Sequence, residues 1–302
     1  MIKQYDIIII GGGPAGLTAA LYSGRARMKT LVIEGNGIGG QIAQTAEIEN
    51  YPGSQSVESG ASLMERFQEQ AVMFGAEIVY DNVISVDFTL NNKRLHCEEN
   101  DYEAKAVIIA SGAAPARIGC PGEDELAGMG VSYCATCDGA FYKGKIVAVN
   151  GGGNSALHEA LYLSNIAAKV YLIHRRNEFR ASDNLVDKVK AKDNIELVLE
   201  SSIIELLGDD HLQGIKTDTG REIVLDGLFV SIGRTPNTKN LIDGLELVEG
   251  DYAKANEDCH TNIPGVFVAG DVRSKELRQL VTATSDGAIA ATEAVNYLKE
   301  VQ

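Results

Sequence analysis

The sequence predicts an α/β protein built from two β-turn-α-β units of one design, and two stretches of it carry that reading. Tyr5 to Ile10 is a short β-branched run, Gly11 to Gly16 a glycine turn, Leu17 to Arg27 a helix-like stretch, and Thr30 to Ile33 a second apolar run. The same order returns about 140 residues later at Lys145 to Val149, Gly151 to Ala156, Leu157 to Asn165 and Lys169 to Ile173. A chain of 302 residues also exceeds one typical domain of about 100 to 200, which makes two units the expectation. Hydrophobic residues make up 45% and charged residues 23%, with no low-complexity tract, so both units can carry a core.

Charge and cysteine usage narrow the function classes. A formal net charge of −15 repels phosphate backbones and anionic headgroups, so neither nucleic acid nor a membrane surface is an expected partner. The N-terminal apolar run, Ile7 to Ile10, stops at Gly11, short of the roughly 7 to 15 residues of a signal peptide, and no stretch approaches the roughly 20 of a membrane span. The expected location is cytoplasmic. Five cysteines, an odd number, argue against a structural disulfide framework.

The first glycine turn, Gly11-Gly12-Gly13-Pro14-Ala15-Gly16, fits G-x-G-x-x-G. Its first Gly permits the tight turn, Gly13 lets a pyrophosphate approach the backbone, and Gly16 lets helix and strand pack closely, with the helix N-terminus facing the anion. Glu34 follows 18 residues after Gly16 at a strand end, where a carboxylate can accept from ribose hydroxyls. The second turn, Gly151-Gly152-Gly153-Asn154-Ser155-Ala156, replaces the third glycine with alanine. After its strand come His174, Arg175, Arg176 and Arg180, with no carboxylate at the ribose position. An acid there would repel a 2′-phosphate, whereas guanidinium groups bind one through charge-assisted hydrogen bonds. The expectation is two Rossmann-like dinucleotide-binding domains, the second preferring NADPH to NADH.

Cys134-Ala-Thr-Cys137-Asp138-Gly139 lies just before the second glycine turn. A zinc site needs four ligands, and the chain has no second Cys-x-x-Cys or Cys/His pair, so no metal is expected. A redox-active dithiol beside two dinucleotide sites is the coherent alternative. Asp138 is placed to pass protons to and from a thiol, and it is equally a natural turn residue before Gly139. Cys97, Cys120 and Cys259 stand apart and read as small buried hydrophobes.

Taken together, these residues resemble the bacterial thioredoxin reductases of low molecular weight. Motifs along the whole chain carry the resemblance: Gly11 to Gly16, Gly39-Gly40-Gln41, Glu49-Asn50-Tyr-Pro-Gly53, Cys134 to Gly139, Gly151 to Ala156, His174 to Arg180, Ile232 to Asn237, Thr261 to Asp271 with Gly270, and Arg278-Gln279. The resemblance implies an FAD domain of residues 1–114 and 243–302, with an NADPH domain of residues 115–242 inserted into it and carrying the dithiol. It implies that Glu34, Gly40, Gln41, Asn50, Gly270, Asp271, Arg278 and Gln279 line the FAD. It also implies a homodimer, thioredoxin as the acceptor, Cys137 as the thiol that meets the flavin and Cys134 as the one that attacks the partner.

Some positions depart from the family pattern. Asn150 replaces an apolar residue at a strand end, His158 stands where a glutamate is frequent, and Ala140 leaves Phe141 as the aromatic contact for a partner protein. Asn150 and His158 prompt a ferredoxin donor as one alternative, beside a peroxiredoxin-type acceptor and, from a different class, a flavin redox sensor without turnover.

Overall fold

The computed structural model describes residues 2–45, 47–54, 58–89, 91–241 and 243–301. The chain divides into two units, one of Met1–Ala114 with Thr235–Gln302 and one of Pro115–Arg234. In chain order the first unit begins with β1 (Lys3–Ile10), α1 (Pro14–Arg25), β2 (Thr30–Glu34), α2 (Gly60–Met73), β3 (Glu77–Tyr80), β4 (Val83–Asp87), β5 (Lys93–Cys97) and β6 (Asp101–Ile109), and leaves through β7 (Ala113–Pro115). The second unit contains β8 (Val131–Ser132), α3 (Ala135–Asp138), β9 (Ile146–Asn150), α4 (Asn154–Ser164), β10 (Lys169–Ile173), α5 (Asp183–Lys190) and β11 (Ile195–Val198). It continues with β12 (Ile203–Leu207), β13 (Gly214–Thr217), β14 (Glu222–Val224) and β15 (Gly227–Val230). The chain returns through β16 (Arg234–Pro236) and closes the first unit with β17 (Val266–Val268) and α6 (Leu280–Glu300).

Seven strands form the first sheet, in which β3, β2, β1, β6 and β17 run parallel and β4 and β5 extend it antiparallel from the N-terminal half of β6. Register places Ile8 between Leu31 and Val107. Strands buried on both faces must be apolar at every position, not at alternate ones. Ile7, Ile8 and Ile9 are accordingly fully buried. One face is covered by α1 and α6, whose contact is a stripe of small residues. Ala15, Ala19 and Ala20 of α1 belong to one core cluster with Ala290, Ala291 and Ala294 of α6, and a side chain on Gly287 would collide with the Ala15 carbonyl.

The second unit repeats the plan with a parallel sheet in the order β11-β10-β9-β15-β8, and it adds an antiparallel meander, β12-β13-β14. Leu157, Ala160 and Leu163 of α4 pack on Val147, Val149 and Phe229 beneath them. No helix among the described residues is long and apolar enough to cross a membrane.

The outward crossing falls between Ala114 and Pro115, and the return comes at Thr235, whereas the resemblance put the return at 243; residue 242 lies outside the described residues. The reason for the earlier return is local. Asn237 donates its backbone N–H to the Gly112 carbonyl at 2.9 Å and its Nδ2 to the Ser111 carbonyl at 2.8 Å. Leu241 is buried in the first unit's core.

Candidate active site

In the first unit, four segments converge on the N-terminus of α1. Gly11 has φ +108°, and a Cβ there would collide with the Ala110 carbonyl, so the turn requires glycine. Around Gly13 the situation is the reverse, since a Cβ would meet nothing within 4 Å. Gly13 caps α1 without a side-chain hydrogen bond, and Pro14 occupies the first turn, where its missing N–H costs nothing. An uncapped helix N-terminus behind a glycine with room beside it is the arrangement an anion requires.

Glu34, at the end of β2 and 8% exposed, accepts from Gly12 N–H at 2.5 Å and from Asn36 N–H at 2.7 Å. Each oxygen keeps a lone pair for a ribose hydroxyl. Gly39 N–H donates to the Gly12 carbonyl at 2.8 Å, and a Cβ on Gly40 would stand 3.6 Å from Gly13 Cα, so this loop lies against the turn. Gln41 Nε2 donates to the Ala113 carbonyl. Gly270 has φ +77° and its Cβ position would be 2.9 Å from Ala15, which brings Gly270 and Asp271 to the same helix end.

Gln279 caps α6 in a reciprocal pair with Thr282, and its Oε1 accepts from Asn50 Nδ2 at 3.2 Å. Arg278 Nε donates to the Asp271 carbonyl at 3.4 Å, and its guanidinium lies 4.1 Å from the centre of the Tyr252 ring. This cradle fits a dinucleotide with an adjoining ring system. Its pyrophosphate would lie on the amides at Gly13 to Gly16, and its ribose on Glu34.

The second unit repeats the open turn. Gly153 caps α4 without a side-chain bond, and a Cβ there would meet nothing within 4 Å. Close packing explains its neighbours, because a Cβ on Gly151 would be 2.7 Å from the Cβ of Ala156 and would strike the Ser231 carbonyl. The 174–182 loop folds onto this turn: Arg180 N–H donates to the Gly152 carbonyl at 2.8 Å, and Ser182 N–H donates to Asn154 Oδ1 at 3.0 Å. Ser155 stays exposed on the helix.

Arg175, Arg176 and Arg180 are exposed, and the arginine ion pairs among the described residues involve other guanidiniums, those of Arg66, Arg94, Arg117, Arg221 and Arg273. His174 differs from its neighbours. It is 6% exposed, lies where a Gly152 side chain would be, and stacks on Phe179 with centroids 5.5 Å apart. Burial first, and then the neighbouring arginines, push its pKa down, so it supports the turn as a neutral ring and does not join the cations. Asn150 ends β9, partly buried, and His158 is exposed on α4.

Cys134 and Cys137 are joined in a disulfide with Cα atoms 5.3 Å apart, and both are half-buried. Thr136 Oγ1 lies 3.4 Å from Cys134 Sγ. Asp138 follows at the end of α3, where burial pushes its carboxyl up and a hydrogen bond from Ser132 Oγ at 2.6 Å pulls it back. The arrangement offers a reducible disulfide with a poised acid beside it. Phe141 is 41% exposed on the turn that follows. Cys97 and Cys259 are buried thiols pushed up to about 12 by burial, which makes them inert as nucleophiles.

Three further groups escape sequence reasoning. Ser132 is one. Asp286 on α6 accepts from Gly270 N–H at 3.0 Å, Arg273 Nε and Nη2 at 3.2 Å, and Lys275 Nζ at 2.7 Å, which anchors the Gly270 loop. A signal for it exists, since it is a lone acid in an Ala/Gly helix stripe. Glu159 on α4 has its Oε2 closed off without a hydrogen-bond partner, and burial pushes its carboxyl up to about 7.

Comparison with known proteins agrees with this chemistry. The pyridine nucleotide-disulphide oxidoreductase family model matches residues 5–287. A thioredoxin reductase of Peptoclostridium litorale is 47% identical over 312 residues, covering 100% of this chain and 99% of its own. The crystal structure of thioredoxin reductase from Streptococcus pyogenes superposes with TM-score 0.94 at 38% identity, covering 99% of this chain and 100% of its own. A ferredoxin-flavin thioredoxin reductase from Clostridium acetobutylicum has TM-score 0.55 at 33% identity over 99% of this chain and 100% of its own. The chain belongs to the pyridine nucleotide-disulphide oxidoreductases, and within them to the thioredoxin reductase family.

Proposed function

We propose that this oxidoreductase is an NADPH-dependent thioredoxin-disulfide reductase, a cytoplasmic homodimer holding FAD in the first unit and NADPH in the second. The observation that carries the reading is the closed Cys134–Cys137 disulfide with the half-buried acid Asp138 directly after it. Family membership implies a flavin and a nicotinamide cofactor. The open turn at Gly13 with Glu34 supports FAD in the first unit, and the exposed Arg175, Arg176 and Arg180 support NADPH in the second. Exposed Val72, Met73 and Phe74 at the end of α2 support association of two copies through an apolar face.

Bound FAD supplies hydride acceptance and delivery of the electron pair to a disulfide. The chain's own residues do the rest. Once Cys134 and Cys137 are reduced, one thiolate attacks the thioredoxin disulfide, forming a mixed disulfide as the partner's S–S bond breaks. Asp138 donates its proton to the departing thiolate. The second thiol then attacks the mixed disulfide, its proton passing by way of the Asp138 carboxylate to the second departing thiolate, so that Cys134–Cys137 closes as the bond to the partner breaks and dithiol thioredoxin is released. Phe141 gives the partner an apolar contact next to the sulfurs in sequence.

The test is NADPH consumption by FAD-loaded protein with oxidised thioredoxin. Thioredoxin-dependent consumption, abolished in both Cys134→Ser and Cys137→Ser, is expected. Turnover supported by reduced ferredoxin but not by NADPH would replace the donor.

A further inference from the structure

Ser132 is the last residue of β8, 5% exposed and held opposite Phe229 of β15 by parallel pairing. Its Oγ accepts from Cys134 N–H at 3.1 Å and donates to Asp138 Oδ2 at 2.6 Å. A single oxygen on a strand therefore ties Cys134, the N-cap residue, to Asp138 at the far end of the four-residue helix that carries Cys137. We propose that Ser132 is a positioning residue for disulfide reduction, which fixes the Asp138 carboxyl relative to Cys134 and enables it to release its proton.

The proposal rests on the acid role given to Asp138 above. The groups that face Asp138 are few. Tyr142 faces it from the following turn, Gly139 packs on the Tyr162 ring and Leu163 of α4, and no Lys, Arg or second carboxylate acts on it among the described residues. Burial therefore favours the protonated acid, and the Ser132 hydroxyl is the one group that favours the ion. A hydroxyl has one proton to give, and of the two acceptors within its reach, Asp138 Oδ2 at 2.6 Å and the Cys134 carbonyl at 3.4 Å, the far shorter bond goes to the carboxylate that remains after proton transfer. That charge-assisted bond strengthens as the step proceeds. Without it Asp138 is a weaker acid, slower to protonate the leaving thiolate, and it keeps its proton to higher pH.

The experiment is the pH profile of kcat/KM for thioredoxin, measured on FAD-loaded parent, Ser132→Ala, Asp138→Asn and the double variant. Flavin content and NADPH-dependent reduction of a small artificial acceptor serve as controls of folding. The alkaline limb belonging to Asp138 is the one that Asp138→Asn abolishes. Ser132→Ala is expected to lower the plateau several-fold and move that limb up by about one pH unit, the size of one lost charge-assisted bond. The double variant should be no slower than Asp138→Asn alone, because Ser132 acts through Asp138. A limb that stays in place in Ser132→Ala, or a loss that adds in full to that of Asp138→Asn, overturns the proposal. If Asp138→Asn itself leaves the profile unchanged, the acid role fails, and the positioning role fails with it.

Discussion

Donor selectivity is the property that the second unit's surface predicts most sharply. Arg175, Arg176 and Arg180 reach solvent from a loop bonded to the glycine turn through Gly152 and Asn154, and the carboxylates that pair with arginine among the described residues pair with others. A charge-assisted hydrogen bond contributes about 1.5 to 3 kcal/mol. Because these guanidiniums remain hydrated, the lower end applies, and replacing one with Ala should weaken NADPH use by about 10-fold at about 1.4 kcal/mol per decade. NADH, which lacks the 2′-phosphate, should be affected less than about 2-fold, since no contact is lost. Stopped-flow flavin reduction by each cofactor in Arg175→Ala, Arg176→Ala and Arg180→Ala measures both numbers. Equal losses with NADPH and NADH would overturn this assignment, because the arginines would then act on the loop's fold and not on the phosphate.

Glu159→Gln should make stability less dependent on pH. The Glu159 carboxyl is raised from 4.5 to about 7, so its stabilising contribution is complete below about 4.5 and is lost as pH rises through about 7. Relative to Glu159→Gln, the parent should lose about 3 kcal/mol between pH 4.5 and pH 8, and parallel melting curves across that range would count against it. Asp286→Ala removes the buried carboxylate shared by Arg273 and Lys275, leaves Arg273 only the exposed Glu257 at 3.7 Å as an ion partner, and frees the Gly270 amide. It should destabilise the chain by about 3 to 5 kcal/mol and lower FAD retention on dialysis, and unchanged retention would remove Asp286 from the flavin site.

Local features are legible in the sequence. Glycine spacing at 11–16 and 151–156 is dictated by backbone conformation and close approach within a few residues, and the dithiol with Asp138 is a contiguous run. Features made by distant pairing are not. Ser132 reaches its role because β8 pairs with β15 nearly 100 residues on, and no periodicity reports that. Sequence reasoning groups His174 with the cations because it adjoins Arg175 and Arg176. Its place just after β10, whose last two residues Leu172 and Ile173 are both fully buried, is the cue that it turns inward. The return to the first unit at Thr235 depends on hydrogen bonds between Asn237 and Ser111, which only the fold brings together.

Everything proposed for the dithiol requires that electrons from NADPH open the Cys134–Cys137 disulfide. FAD-loaded protein, mixed anaerobically with NADPH and quenched with an alkylating reagent, reports this by mass spectrometry of labelled cysteines. Label is expected at Cys134 and Cys137 in the NADPH sample, none there without NADPH, and loss of the label when oxidised thioredoxin in excess over the NADPH is added before the quench. Reduction of the flavin with Cys134 and Cys137 still unlabelled would show that the electrons stop at the flavin, and the disulfide would lose its part in turnover.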